Sequence, residues 1–244
     1  THHSGDGQRA GGIGYDHVIG RELVGLAVQG QKFFAVAGGA LSSSATLVAP
    51  AGPAFAIWGV IYTGLLLLAL LQVLPSRRTD PRQRRSGWWT AASLLLNAAW
   101  ILVIQAELIA LSVAVIAALV AVLVVALVRL GEERPVTAYE GVVVDGTLGL
   151  YLGWVCIATV ANATAALVVA GIDPVSAASV PVAVAVLLVA AGIGALLAVG
   201  LGGRIAPALS LGWGLLWVSV VRTSGEPESP AVAIAADLAA LVTV

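Results

Sequence analysis

Phe55, Trp58 and Tyr62 follow one another at i, i+3 and i+7, so a helix would carry all three aromatic rings on one side. Two other stretches repeat the arrangement. Ser93, Asn97 and Trp100 stand at i, i+4 and i+7, and Tyr151, Trp154, Ala158 and Asn162 at i, i+3, i+7 and i+11. If the three faces converge, they enclose an aromatic cavity with two amides. Such a site suits a flat, largely apolar ligand: indole and phenol rings pack against it, and Asn97 and Asn162 supply orienting hydrogen bonds. The same residue types have a plainer use in a membrane, where Asn ties helices together and Trp and Tyr collect at the interfaces. Spacing alone leaves both readings open.

Other chemistry finds few residues to perform it. His2, His3 and His17 all fall in a polar N-terminal stretch, where His2 and His3 read as tag remnants, and no metal-spaced cluster or Ser-His-Asp set occurs in the apolar segments. The single cysteine, Cys156, excludes an intrachain disulfide framework and reads as a buried, inert thiol. Asn162-Ala163-Thr164 fits the glycosylation pattern but lies in an apolar run that the modifying machinery does not reach. Three acids need weighing, because charge in a bilayer is costly and often functional. Asp145 precedes Gly146-Thr147 and reads as a helix N-cap; Glu107 belongs to a turn that meets water. Asp237, with no basic partner in view, is either a pocket or proton-linked residue or a sign that the last segment is not fully inserted.

The elements that must position these residues follow from composition. Of 244 residues, 59% are hydrophobic and 10% charged, with a mean hydropathy of +1.00; soluble domains carry about a quarter charged residues. The excess apolar surface must face lipid, so the expected class is all-α: a polytopic bundle of about seven membrane spans. A span needs about 20 apolar residues. Suitable runs occupy 54–74, 88–104, 108–128, 147–170, 180–201, 205–221 and, shorter, 231–244. Residues 1–22 read as a disordered tail, and 23–52 as a weakly apolar segment in which an eighth span would be degenerate. Net charge is −1 and the only Lys is Lys32, which excludes a nucleic-acid surface. The Ala, Val, Gly and Arg bias, with a single Lys, resembles the composition of a high-GC bacterium.

Orientation follows from the basic residues, since positive loops stay cytoplasmic. Arg77, Arg78, Arg82, Arg84, Arg85, Arg129, Arg134 and Arg204 fall in one set of connections and only Arg222 in the other. The first set is therefore expected inside the cell. Trp88 and Trp89, beside the arginines, read as interfacial anchors, whereas Trp213 and Trp217 serve packing, anchoring or a pocket equally well. Gly149 and Gly153 form a Gly-xxx-Gly pair that permits close helix approach.

Three blocks carry a family resemblance: Pro53-Ala-Phe55-Ala-Ile57-Trp58-Gly-Val-Ile-Tyr62, then Leu96-Asn97-Ala-Ala-Trp100, then Tyr151-Leu-Gly153-Trp154-Val-Cys-Ile-Ala158-Thr159-Val-Ala-Asn162. In order and spacing they resemble the TspO/MBR family, the tryptophan-rich sensory and translocator proteins, and they span about residues 50–165. The resemblance implies a TspO-like helical core over 53–170, made of the family's second to fifth helices, followed by three additional spans over 171–244 as in longer bacterial relatives. It also implies that Trp58 and Trp154 match the tryptophans facing the family's ligand pocket. Asn97 and Trp100 match the third-helix Asn-x-x-Trp pattern, and Ala158 and Asn162 the fifth-helix Ala-Thr-x-x-Asn pattern.

The chain departs from the family in several places. Leu47-Val-Ala-Pro50-Ala-Gly-Pro53 replaces the Trp- and Pro-rich loop that usually closes the pocket, and the Pro expected before the fifth-helix Tyr is missing. The cholesterol motif of the animal translocators has no counterpart after Asn162. The expected function is a multi-pass sensor or binding protein in a bacterial plasma membrane, holding a porphyrin, a heme-type molecule or another flat hydrophobic ligand, with no obligatory cofactor or catalysis. The ligand-binding set is Phe55, Trp58, Tyr62, Asn97, Trp100, Tyr151, Trp154, Ala158 and Asn162. A transporter and a porphyrin-degrading activity are the rival readings. The expected partners are the bilayer and a small hydrophobic ligand, with a homodimer left open and nucleic acid excluded.

Overall fold

The computed structural model describes residues 42–75, 80–132, 135, 137–173, 176 and 178–243. The tail 1–22 and most of the segment 23–52 lie outside the described residues. Among those described, regular structure is helical throughout. A 3-10 turn at Gly52–Ala56 leads into α1, Ile57–Val73; then come α2, Pro81–Gln105, α3, Ile109–Gly131, and α4, Ala138–Val169. Helices α5, Ser179–Gly200, α6, Ile205–Ser224, and α7, Pro230–Thr243, complete the chain. The first six are long and apolar enough to cross a membrane, α1 together with its 3-10 turn, while α7 is shorter.

Two helices start earlier than hydropathy suggests, and polar caps explain both. Asp80 accepts the backbone N–H groups of Arg82 (2.9 Å) and Gln83 (3.5 Å), and Pro81 occupies the first helical position, where its missing N–H costs nothing. Arg82, Arg84 and Arg85 therefore stand in the first turns of α2 and not in a loop. Thr137 similarly accepts the N–H of Glu140 at 3.1 Å, a Thr-x-x-Glu start that sets α4 in motion ahead of Thr147. Gly141–Gly146 form a π-helical turn within this rod, so Gly146 is already helical and Asp145 caps nothing. The N-cap expectation for Asp145 is corrected accordingly.

Helix α2 is polar inside and apolar outside. Its buried stripe runs through Arg82, Ser86, Thr90, Ser93, Asn97 and Trp100, whereas Leu94, Leu95 and Leu102 are exposed. Lipid tails are as apolar as Leu, so a leucine gains nothing by facing inward, while a polar group in hydrocarbon must find a partner. The three hydroxyls find theirs on their own helix: Ser86 donates to Arg82 O, Thr90 to Ser86 O and Ser93 to Thr90 O, at 2.7–3.1 Å.

Helix α4 occupies the middle of the bundle. It packs against α1, α3 and α6; α2 lies on α3, and α7 fills the angle between α5 and α6. Gly149 and Gly153 meet α6 directly. A methyl at Gly149 would stand 2.8 Å from the Ala206 Cβ, and one at Gly153 would run into the Pro207 carbonyl. The Gly-xxx-Gly pair thus lets two backbones touch.

One end of the bundle holds a buried ionic quartet. Arg82, 2% exposed, donates to Glu140 at 3.1 Å, to both Asp145 oxygens at 3.0 and 2.9 Å, and to Leu130 O. Arg204 donates to Asp145 at 3.1 Å and to the Leu127 and Leu201 carbonyls. Two guanidinium groups and two carboxylates neutralise one another, and the spare N–H groups cap the carbonyls that end α3 and α5. At the opposite end, Arg222 is fully buried and donates to the Pro227 and Ser43 carbonyls, which fastens the 42–51 loop to α6.

Candidate functional site

The aromatic faces of α1 and α4 do converge. Trp58 is the hub: its ring stacks on Tyr62 at 5.1 Å and meets Tyr151 and Trp154 edge-on at 5.9 and 6.3 Å. Phe55 meets Trp154 edge-on at 5.2 Å. Offset and edge-on geometries of this kind suit the ring quadrupoles. Trp154 and Tyr151 are wholly buried in α4, Trp58 and Phe55 are half-buried, and Tyr62 is 44% exposed at the outer edge.

Helix α2 closes the third side through polar contacts. Asn97 donates from Nδ2 to the Tyr62 hydroxyl at 3.2 Å, and the Tyr151 hydroxyl donates to the Ser93 carbonyl at 3.3 Å. Trp100 lies buried one helical turn beyond Asn97. Three buried polar atoms around this cluster have no hydrogen-bond partner among the described residues: Asn97 Oδ1, Trp100 Nε1 and Trp154 Nε1. A buried unpaired polar atom costs about 1–3 kcal/mol. Unpaired buried polar atoms also occur away from the rings, at Gln83, Asn162, Ser210 and Arg222.

Asn162 does not join them. It stands eight residues past Trp154, about 12 Å farther along the helix axis, and donates to the Ser112 hydroxyl of α3 at 2.7 Å. That contact is of the helix-tying kind. Ala158, half-buried one turn from Trp154, packs against the core on the way between them. The structure therefore brings together Phe55, Trp58, Tyr62, Tyr151, Trp154 and Asn97, sets Trp100 and Ala158 at their margin, and gives Asn162 a separate place.

The added helices support the cluster. Trp213 of α6 donates from Nε1 to the Ala54 carbonyl at 2.9 Å, and the Trp217 carbonyl accepts from Ala51 N at 3.3 Å, so α6 holds the N-cap and the middle of the 3-10 turn that carries Phe55. The two indoles also meet each other edge-on at 5.6 Å. Leu47, Val48 and Ala49 of the replacement loop are buried, with Thr46 and Thr164 hydroxyls 3.5 Å apart. Trp88, 85% exposed, projects outward from the arginine end of α2, and Asp237 lies on the exposed side of α7. The Trp213 contact and the quartet of Arg82, Glu140, Asp145 and Arg204 escaped sequence reading, although Asp80-Pro81 and Thr137-x-x-Glu140 signalled that Arg82 and Glu140 are helical.

The family model described as TSPO-like protein matches residues 23–244. The match takes in α5 to α7 as well as the three motif blocks, so the C-terminal helices are part of the shared pattern. No curated protein and no solved structure matches the chain.

Proposed function

Since the chain belongs to the TSPO-like family, we propose that this multi-pass membrane protein binds a porphyrin or a similar flat, hydrophobic molecule at the Trp58 cluster and works as a sensor or carrier of it. The observation that carries the reading is the set of unpartnered polar atoms, Asn97 Oδ1, Trp100 Nε1 and Trp154 Nε1, beside five adjoining rings. A packed aromatic core alone gains nothing from them; a ligand with an apolar ring system and a few polar groups would satisfy them. The rings lie against one another, so the ligand enters as Trp58 and Tyr62 swing outward. The seam between α1 and α2 suits that movement, because the side-chain bond across it from Asn97 to Tyr62 ends on an exposed tyrosine. We place the protein in a bacterial plasma membrane with the arginine-rich end in the cytoplasm, by the positive-inside rule.

The test is a titration of protoporphyrin into the detergent-solubilised protein, followed by tryptophan fluorescence. Saturable quenching is expected in the parent, with affinity about tenfold weaker in Trp58→Phe and Trp154→Phe. Quenching in the parent that rises linearly without saturation would sink the reading.

A further inference from the structure

Glu140 and Asp145 stand five residues apart on α4, and both bind the one guanidinium of Arg82. Glu140 Oε1 accepts from Nη1 at 3.1 Å, and the two Asp145 oxygens accept from Nη2 at 3.0 and 2.9 Å. On an α-helix residues five apart point about 140° from each other, too far round the axis to share one fork, whereas residues four apart differ by about 40°. The π-helical turn Gly141–Gly146 starts directly after Glu140 and contains Asp145. It closes its ring at i+5 and so holds one residue more than an α turn. That extra residue gives Glu140 and Asp145 the relation of an i, i+4 pair, and both face Arg82.

The rest of α4 determines what moves if the extra residue is given back. After the turn the helix is fixed, because Gly149 and Gly153 set their backbone against Ala206 and Pro207 of α6, and Asp145 is held a second time by Arg204 at 3.1 Å. Before the turn stands only the short piece Ala138–Glu140. Return to the α register therefore leaves Asp145 in place and rotates Ala138–Glu140 by about 100°, the step of one residue. Gly141 then takes the place opposite Arg82 Nη1. Glu140, 1% exposed in the clamped form, moves to the place of Tyr139, which is 53% exposed.

We infer that the π turn is a two-position register switch, latched by the Arg82–Glu140 ion pair, whose released position brings a buried carboxylate to the surface at the arginine end of the bundle. The two positions are discrete, since the turn either holds the extra residue or does not, and only one of them lets both carboxylates reach Arg82. The α register is the ordinary one for a helical backbone, so the ion pair is what keeps the turn in the rarer form. The switch is independent of what binds at the Trp58 cluster.

The full chain is placed in nanodiscs with nitroxide labels at Trp88→Cys and Tyr139→Cys, both exposed positions, and with Cys156→Ser removing the native thiol. The distance between the labels is measured by pulsed electron paramagnetic resonance. One distance is expected in this parent, and a second, separate one in Glu140→Gln, where the latch is lost. Deletion of Val142, an exposed residue of the π turn, removes the extra residue and makes Glu140 and Asp145 a true i, i+4 pair. That chain is expected to keep the parent's distance, with an unfolding midpoint at or above the parent's. It should keep the distance even when Glu140→Gln is added, because no residue is left to redistribute. The parent's distance alone in Glu140→Gln, or a second distance that survives the deletion of Val142, would overturn the switch, and so would a midpoint that falls on deletion. Should Glu140→Gln not fold, the midpoint of the deletion chain decides the matter alone.

Discussion

Asn97 and Asn162 look alike in the sequence and differ in the structure. Each donates through its Nδ2 to one hydroxyl, Asn97 to Tyr62 and Asn162 to Ser112, and each keeps its carbonyl oxygen unpaired, but only Asn97 does so beside the clustered rings. Asn162→Leu should therefore lower stability by about 0.6–1.7 kcal/mol, the range for interhelical hydrogen bonds in membranes, and leave protoporphyrin affinity unchanged; thermal unfolding in detergent and the quenching titration measure the two effects. Asn97→Leu should show the converse weighting, with the larger loss in affinity. Trp154→Phe keeps an aromatic ring but removes the unpaired N–H. Its stability should stay within about 1 kcal/mol of the parent's while affinity falls, a split that a purely structural tryptophan would not give. Helical spacing made the ring cluster legible because α1 and α4 are regular where Trp58, Tyr62, Tyr151 and Trp154 lie, Phe55 standing on the 3-10 turn that leads into α1. The partner of each amide was not legible, because the facing residue, Tyr62 or Ser112, belongs to a different helix whose rotation no single segment specifies.

At the scale of helices, close approach governs. Gly153→Ala drives a methyl into the Pro207 carbonyl, where neither backbone can yield alone. A loss of about 1–3 kcal/mol is expected from such overpacking, against near-neutrality for Gly59→Ala, whose Cβ meets nothing within 4 Å; unfolding midpoints of the two variants check this. Trp213→Phe keeps the ring contact with Trp217 but deletes the bond to Ala54 O. The 3-10 turn then loses one of its two ties to α6, and protoporphyrin affinity should fall although Trp213 is not among the clustered rings. The Gly-xxx-Gly contact and the succession of apolar helices could be read from sequence, although six of the seven expected spans are long enough to cross a membrane and α7 is shorter. The true starts of α2 and α4 could not be read from hydropathy, because their first turns are polar; the caps at Asp80-Pro81 and Thr137-Glu140 carried that information instead.

The molecule as a whole is organised around α4, which carries the third motif block itself and packs against α1, α3 and α6. Spacing within each segment could not reveal that α6 braces the 3-10 turn, since the residues joined, Ala54 and Trp213, are 159 positions apart. The ionic quartet is the corresponding tie at the arginine end. Breaking a buried ion pair by removing one partner costs about 3–5 kcal/mol, so Asp145→Asn should lower the unfolding midpoint more than removal of the exposed pair in Glu132→Gln. The same quartet constrains how the chain is made. Arg82 emerges from the ribosome 63 residues before Asp145, and Asp145 a further 59 before Arg204. Each charge must wait for its counter-ion, so α2 cannot settle into its final tilt until α4 has been synthesised, nor α4 until α6 begins. Order of translation becomes order of neutralisation, and the helices are expected to leave the insertion machinery as a group and not one at a time.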